Sequence, residues 1–302
     1  MSKYIIGGGI AGLISAFYNK DYKIITDKIG GQMAMNNAGP RILEVNKYSD
    51  ILLKDLGLND CDIKTATIGY RINNKFVNEI NEDTRKQYYM KSRCLKDVST
   101  VPSSIMSDGK NTIKYYDIEW DCILNKLTEA IFDNIIIGKV NIIDTNNNIL
   151  LVNTDLKNPD IAYLEYEKII STIPAPIFFR ISNLNPLMEL KYAKKVFIIL
   201  SNDYMNIDNY DYVYYPEDKY EFHRATRLKN GRIALEYTTE HSYRSVLNKW
   251  NSFSNSYSHI PIGQIISGKV QTIENVEFIG RYACWNHDIK TDDIVKKFIG
   301  GR

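Results

Sequence analysis

Three consecutive glycines, Gly7, Gly8 and Gly9, follow the apolar run Tyr4-Ile5-Ile6 and continue as Ile10-Ala11-Gly12. Gly7, Gly9 and Gly12 thus stand in G-x-G-x-x-G spacing, and the chemistry served by that spacing is the cradling of a diphosphate. Gly7 permits a tight turn, Gly9 lets the backbone approach a pyrophosphate, and Gly12 lets a helix pack closely against a strand. A helix opening at Ile10 and Ala11 would aim unpaired N–H groups and its positive dipole end at the phosphates. Asp27, closing the next apolar run, is placed to accept hydrogen bonds from ribose hydroxyls, and its charge disfavours a 2′-phosphate, which argues against NADP. The glycines alone are a weak signal. A strand before them, a helix after them and an acid beyond make it specific for an adenine dinucleotide.

Elements must position those residues. Apolar periodicity predicts a buried strand over 3–7, a helix over 10–20 with Ile10, Leu13, Ile14 and Phe17 on one face, and a second strand over 22–27. That order is the start of a doubly wound parallel sheet. A further helix is expected at 45–57, stopped by Gly57. From 58 to about 110 the pattern weakens and reads as the first part of a separate lobe. Helical spacing returns over 121–134, and "NIIIGKVNIIDTNNNILLVNT" reads as strand, turn, strand. "YEKIISTIPAPIFF" reads as a strand ended by Pro174 and Pro176. Segments 195–200, 210–216 and 232–239 look like an antiparallel sheet, with a helix over 240–252. The C-terminal part gives a strand to Ile279, a loop and a helix from about 292. The expected class is α/β: a Rossmann-like dinucleotide-binding domain (1–57, 121–182 and 258–302) interleaved with a smaller α+β lobe holding an antiparallel sheet (58–120 and 183–257).

Composition narrows the function classes. The chain of 302 residues carries 38 basic and 36 acidic side chains, a formal net charge of +2. That balance provides no concentrated basic surface for nucleic acid. No segment approaches the roughly 18 to 20 apolar residues that span a bilayer. The opening segment lacks a small-residue cleavage site, so the expectation is a soluble, cytoplasmic protein without a membrane partner. Cys61, Cys94, Cys122 and Cys284 form no C-x-x-C pair and are expected as free thiols. His223, His241, His259 and His287 show no metal-site spacing, and no metal is expected.

Several patches, in order, carry a resemblance. Gly30-Gly31 follows Asp27 closely, as in many FAD enzymes. "GPRIL" (39–43), "KVNIIDTNNNILLVNT", "KIISTIPAPIFF" and "FIGRYACWNHDIKTDDIV" follow along the chain. Together with residues 4–33 they resemble the superfamily of FAD-dependent amine oxidases, protoporphyrinogen oxidases and UDP-galactopyranose mutases. The resemblance implies FAD as cofactor. It implies contacts to it from Gly30, Gly31, Gln32, Arg41, the backbone near Val140, Gly280, Arg281, Asp292, Asp293 and Ile294, beside the glycines and Asp27 above. Asp292 and Asp293 also suit the N-terminal cap of the closing helix.

"YYPEDKYEFHRAT" (214–226) resembles the substrate-lobe strand of the mutases, and this implies substrate contacts from Arg224, Arg281, Tyr214 and Tyr215. Two guanidiniums on one pocket suit a diphosphate, because the planar fork pairs bidentately with phosphate oxygens. Without the resemblance, Arg224 reads as a surface arginine paired with Glu217 or Glu221. On a regular strand its neighbour His223 would face the other way. The mutase resemblance implies attack by the N5 of reduced flavin on the anomeric carbon of a nucleotide-sugar, with no protein side chain singled out as catalytic. Departures are clear: Gln32 follows the glycine pair, Arg41 stands where mutases place a histidine, the downstream loop histidine is absent, and the substrate lobe is short. Two rival readings therefore stay open, an oxidase or dehydrogenase passing hydride from a small-molecule substrate to N5, and a flavin-binding protein without catalysis. Homo-oligomerisation also stays open.

Overall fold

Apolar runs broken by glycine set the first elements of the computed structural model, which describes residues 1–34, 42–98, 111–154, 160–200, 205–239, 243–250 and 254–300. Strand β1 (Ser2–Ile6) leads through the glycine turn into helix α1 (Ile10–Tyr18) and strand β2 (Tyr22–Thr26). Leu13 and Ile14 on α1 are fully buried, each worth about 1.5–3 kcal/mol of apolar burial. Then come β3 (Leu43–Glu44) and α2 (Lys47–Asp55). Asn46 caps α2, its side chain accepting from the Tyr48 and Ser49 amides. The stretch of weak periodicity holds β4 (Ile63–Ile72), β5 (Lys75–Val77) and α3 (Glu82–Arg93), followed by β6 (Thr112–Tyr116). Helix α4 (Trp120–Ala130) ends before 134, giving way to a short 3-10 turn. Strands β7 (Ile135–Ile137), β8 (Lys139–Asp144), β9 (Ile149–Asn153) and β10 (Ile161–Ser171) follow.

Strand β10 already ends at Ser171, and the two prolines expected to end it instead open α5 (Ala175–Ser182): Pro174 is its N-cap and Pro176 stands in its first turn, where the missing N–H has no intrahelical partner. The rest of the chain is β11 (Met188–Leu200), β12 (Tyr212–Tyr214), β13 (Arg224–Arg227), β14 (Ile233–Thr239), α6 (Tyr243–Trp250), β15 (Ser254–Lys269), β16 (Val276–Phe278) and α7 (Thr291–Ile299).

Two sheets result. The first runs β7-β2-β1-β10, with β16 also on β10, and these five strands are parallel. The outer half of β10 pairs instead with β9, and β9 with β8, as an antiparallel meander. Helices α1, α2, α4 and α7 cover one face through Leu13, Ile14, Leu52, Ile123, Leu127 and Val295. The other face packs Tyr4, Ile6 and Tyr166 against Phe178 and Phe179 of α5. This is the helix-on-both-faces arrangement of a doubly wound sheet.

The second sheet runs β15-β11-β14-β13-β12-β4-β6-β3, with β5 on β4, and only β12 and β4 are parallel within it. Strand β15 stays in this sheet as far as Lys269, so the change of sheet does not fall at 258, where sequence reading put the domain boundary. Periodicity missed it because the long run 254–269 mixes serines with scattered isoleucines.

Candidate functional site

The glycine turn is built by contacts that tolerate no larger residue. A Cβ on Gly12 would lie 1.8 Å from the Gly7 carbonyl oxygen, which is why helix and strand can close on each other there. Gly7 itself has φ +109, a backbone region that favours glycine. Two threonines bracket the turn. The Thr26 hydroxyl accepts from the Gly8 amide at 3.0 Å, and that of Thr172 donates to the Ile6 and Gly7 carbonyls at 3.0 Å. Gly30 donates its amide to the Gly8 carbonyl at 2.7 Å, and a Cβ on Gly31 would stand 3.0 Å from the Gly9 Cα. The glycine pair thus packs directly on the triplet.

Gly9 differs from its neighbours. A Cβ there meets nothing within 4 Å, and as the N-cap of α1 it offers no side-chain acceptor to the first helical amides. The amides of Ile10, Ala11 and Gly12 therefore face an open cradle at the positive end of the helix dipole. Asp27 stands exposed immediately after β2. Gln32 lies on a short 3-10 turn, and Arg41 lies outside the described residues.

The C-terminal segment closes on the same turn. A Cβ on Gly280 would sit 2.8 Å from that of Ala11 and 4.0 Å from Ile294 Cδ1. Asp292 and Asp293 lie inside the first turn of α7 rather than ahead of it. Asp293 accepts the Lys290 amide at 2.8 Å as part of a capping box, while burial raises the Asp292 pKa. Val140, on β8, is buried with Ile6 and Ile25.

A second feature is a polar cavity of about 160 Å³ at the second sheet. One register row crosses five strands of that sheet: Tyr70 on β4, Tyr214 on β12, Arg224 on β13, Glu236 on β14 and Phe197 on β11. Residues directly opposite share a face. Arg224 and Glu236 form an ion pair, Lys195 Nζ lies 2.6 Å from the same carboxylate, and His223 Nε2 is 3.4 Å away. Burial works against charge on Glu236, but Arg224 and Lys195 outweigh it and hold the pKa well below the usual carboxylate range. Burial also opposes the Arg224 charge, and Glu236 more than offsets it, so its pKa is raised. Burial lowers His223 to about 4 and His287 to about 2, leaving both rings neutral at neutral pH.

The cavity brings together Arg224, Arg281 and Tyr214, as the sequence paired them. Tyr214 stacks on Tyr70 at 5.6 Å between centroids and meets Tyr88 edge-on at 5.0 Å. Tyr215 is a correction. It is 1 % exposed and buried on the opposite side of the sheet against Tyr220 and Phe222, because the next residue along a strand faces the other way. Arg224 is not a surface residue paired with Glu217 or Glu221. His223 precedes the regular part of β13 and reaches the same carboxylate as Arg224, contrary to strict alternation.

Lys195, Glu236, Arg93 and Gln264 escaped the sequence reading, as did the two threonines. Glu236 had a legible signal, a single carboxylate inside the apolar run Ile233-Ala234-Leu235-Glu236-Tyr237. A buried charge needs partners, and such a residue predicts a cation on neighbouring strands. Among the described residues no group of histidine, cysteine and acidic side chains could hold a metal ion, and the four cysteines are unpaired with one another.

The fold that carries these two features recurs in solved structures. Reduced UDP-galactopyranose mutase superposes with a TM-score of 0.68 at 12% identity, over 100% of this chain and 96% of that one. The chain has the FAD-dependent oxidoreductase fold. Putrescine oxidase bound to putrescine shares this fold with a TM-score of 0.62 at 12% identity, over 99% and 97% of the two chains. An oxidoreductase from Methanosarcina mazei shares it at 0.61 and 10% identity, over 100% and 99%. No family model and no curated sequence matches, so the likeness is one of structure. No helix among the described residues is long and apolar enough to cross a membrane.

Proposed function

We propose that the chain is an FAD-dependent enzyme acting on an anionic, phosphate-bearing small molecule, after the manner of the galactopyranose mutase rather than of a polyamine oxidase. The charge of the cavity carries this reading. Its described lining bears five cationic side chains, Arg93, Lys195, Arg224, Arg281 and Lys290, against the carboxylates of Glu236 and Asp288. The two histidines add no charge at neutral pH. A diammonium such as putrescine meets repulsion there; an oxyanion is attracted. The cavity is smaller than the roughly 300 Å³ at the low end for whole-ligand sites, so it suits the charged end of a substrate whose remainder lies outside it.

FAD fits the residues present. Gly9 leaves space where a pyrophosphate would approach, the α1 amides face it, and Asp27 is free of burial at the strand end where a ribose would lie. Gly280, Asp292 and the start of α7 close the same site. When bound, FAD supplies an N5 that accepts hydride or, reduced, acts as a nucleophile. The chain's own part is binding and orientation. Arg281, directly after Gly280, and Arg224, across the cavity, would grip the leaving phosphate. Arg224 and Arg281 both line the cavity, so their guanidiniums are the donors it presents to an oxyanion. Glu236 is a positioning residue that fixes the plane of the Arg224 guanidinium. Lys195 and His223 hold Glu236 in turn.

The test is direct. The purified protein is expected to carry the flavin absorbance, and to convert UDP-galactofuranose only when dithionite has reduced it. Substrate-dependent hydrogen peroxide would instead establish an oxidase, and flavin without either activity would leave a binding protein. Colourless protein that takes up no FAD at micromolar concentration would overturn the cofactor reading.

A further inference from the structure

A part of the molecule that neither cradle nor cavity uses is the outer face of the β8-β9-β10 meander. Its inner face is fully occupied: Val140, Ile143, Leu150 and Val152 are buried in the core. Alternation turns the intervening residues outward, and the register arranges them in three rows. Lys139, Asn153 and Ile161 form the first, Ile142, Leu151 and Tyr163 the second, and Asp144, Ile149 and Glu165 the third. The middle row is wholly apolar at its exposed ends, with Ile142 46% and Tyr163 72% exposed, and Ile161 beside them is 49% exposed. On a solvated antiparallel face polar residues are the rule, and a contiguous exposed apolar stripe marks an interaction surface.

The charges indicate the occupant. The face is basic at one end of β8, through Lys139, and acidic at the other, through Asp144 with Glu165 in the same row. A two-fold axis running along the middle row lays one copy on another with strands reversed. That operation puts Ile142 on Ile142 and Tyr163 on Tyr163, and sets each Lys139 over the Asp144 of its mate. The alternative axis, along the strands, superposes Asp144 on Glu165 and is repulsive. We propose that this face pairs two copies of the chain in an isologous dimer with antiparallel meanders. Three strands about 4.8 Å apart and five residues long make a patch well below the roughly 800 Å² per partner of a standard interface. The dimer is therefore weak and in exchange with monomer.

The proposal is independent of the cofactor and substrate assignments, and sedimentation velocity on the FAD-supplemented full chain tests it. Mass is expected to rise from one chain of 34.9 kDa towards two as concentration goes from low to several hundred micromolar. Tyr163→Lys and Ile142→Glu, both exposed positions, should hold the protein monomeric throughout with an unchanged melting temperature. Lys139→Glu, which faces Asp144, should weaken the dimer at least fivefold. A wild type that stays monomeric at the highest concentration overturns the proposal. So does a dimer that persists in both apolar variants, or one whose Kd ignores Lys139→Glu.

Discussion

Within the cavity the decisive group is one carboxylate serving three bases. Truncating Arg224 to alanine leaves Glu236 buried with one cation fewer, a change that costs on the order of 3 kcal/mol when a buried pair is broken. Arg224→Ala is therefore expected to lower both the melting temperature and UDP affinity. Arg224→Lys keeps the charge and loses the planar fork; it should retain most of the stability yet bind UDP at least tenfold more weakly by calorimetry, with FAD still bound. An unchanged UDP affinity in Arg224→Lys would remove Arg224 from the substrate site. Acid provides a second probe. An unfolded histidine protonates near pH 6.5, whereas buried His223 does so only near 4. Between those values the unfolded chain holds more protons, so stability falls as pH drops, by about 1.4 kcal/mol per unit for each such proton. His287, lowered to about 2, adds to the same slope and extends it further into acid. Urea unfolding between neutrality and about pH 5 should show this slope, and His223→Gln should reduce it by roughly one proton's worth; equal slopes would mean His223 is already charged in the fold.

Among the elements, the strand–turn–helix of β1, α1 and β2 was the most legible, because glycine spacing, apolar period and terminal acid all constrain the same thirty or so residues. It also allows folding and binding to be separated. Gly12→Ala drives a Cβ into the Gly7 carbonyl, so loss of stability and loss of FAD should come together. Gly9→Ala adds a methyl where nothing stands within 4 Å, so the apoprotein should melt at the wild-type temperature while FAD affinity falls at least tenfold. Equal FAD binding by Gly9→Ala, read from fluorescence quenching, would place the diphosphate elsewhere. The second sheet was less legible. Tyr214 and Tyr215 are indistinguishable by type, and only strand register decides that one lines the cavity and the other the core. Lys195 stands next to Lys194 in sequence. Which of the two turns inward depends on how β11 meets β14 and β15, a long-range pairing that no local pattern encodes.

For the whole molecule, bound cofactor should act as a structural clamp, since FAD contacts are expected from α1, β2, the Gly280 segment and α7 at once. A ligand that binds only the native state stabilises it by about 2.7 kcal/mol at a hundredfold excess over Kd. Stripping the flavin should lower the melting temperature by several degrees, and adding FAD back should restore it; a melting temperature indifferent to FAD would deny that those segments share one ligand. The class of fold was readable from the order of patches along the chain, whereas the cavity was not, because its walls come from α3, five strands of one sheet and the loop after β16. The ladder from Tyr70 to Phe197 has an evolutionary corollary. Deleting one residue from the connection between β12 and β13 would slide the pairing by a step and bring the next side chain, Ala225, to the place of Arg224. Descendants of this protein can thus vary freely in loop length at the rim, but that hairpin should tolerate substitutions far more readily than insertions or deletions.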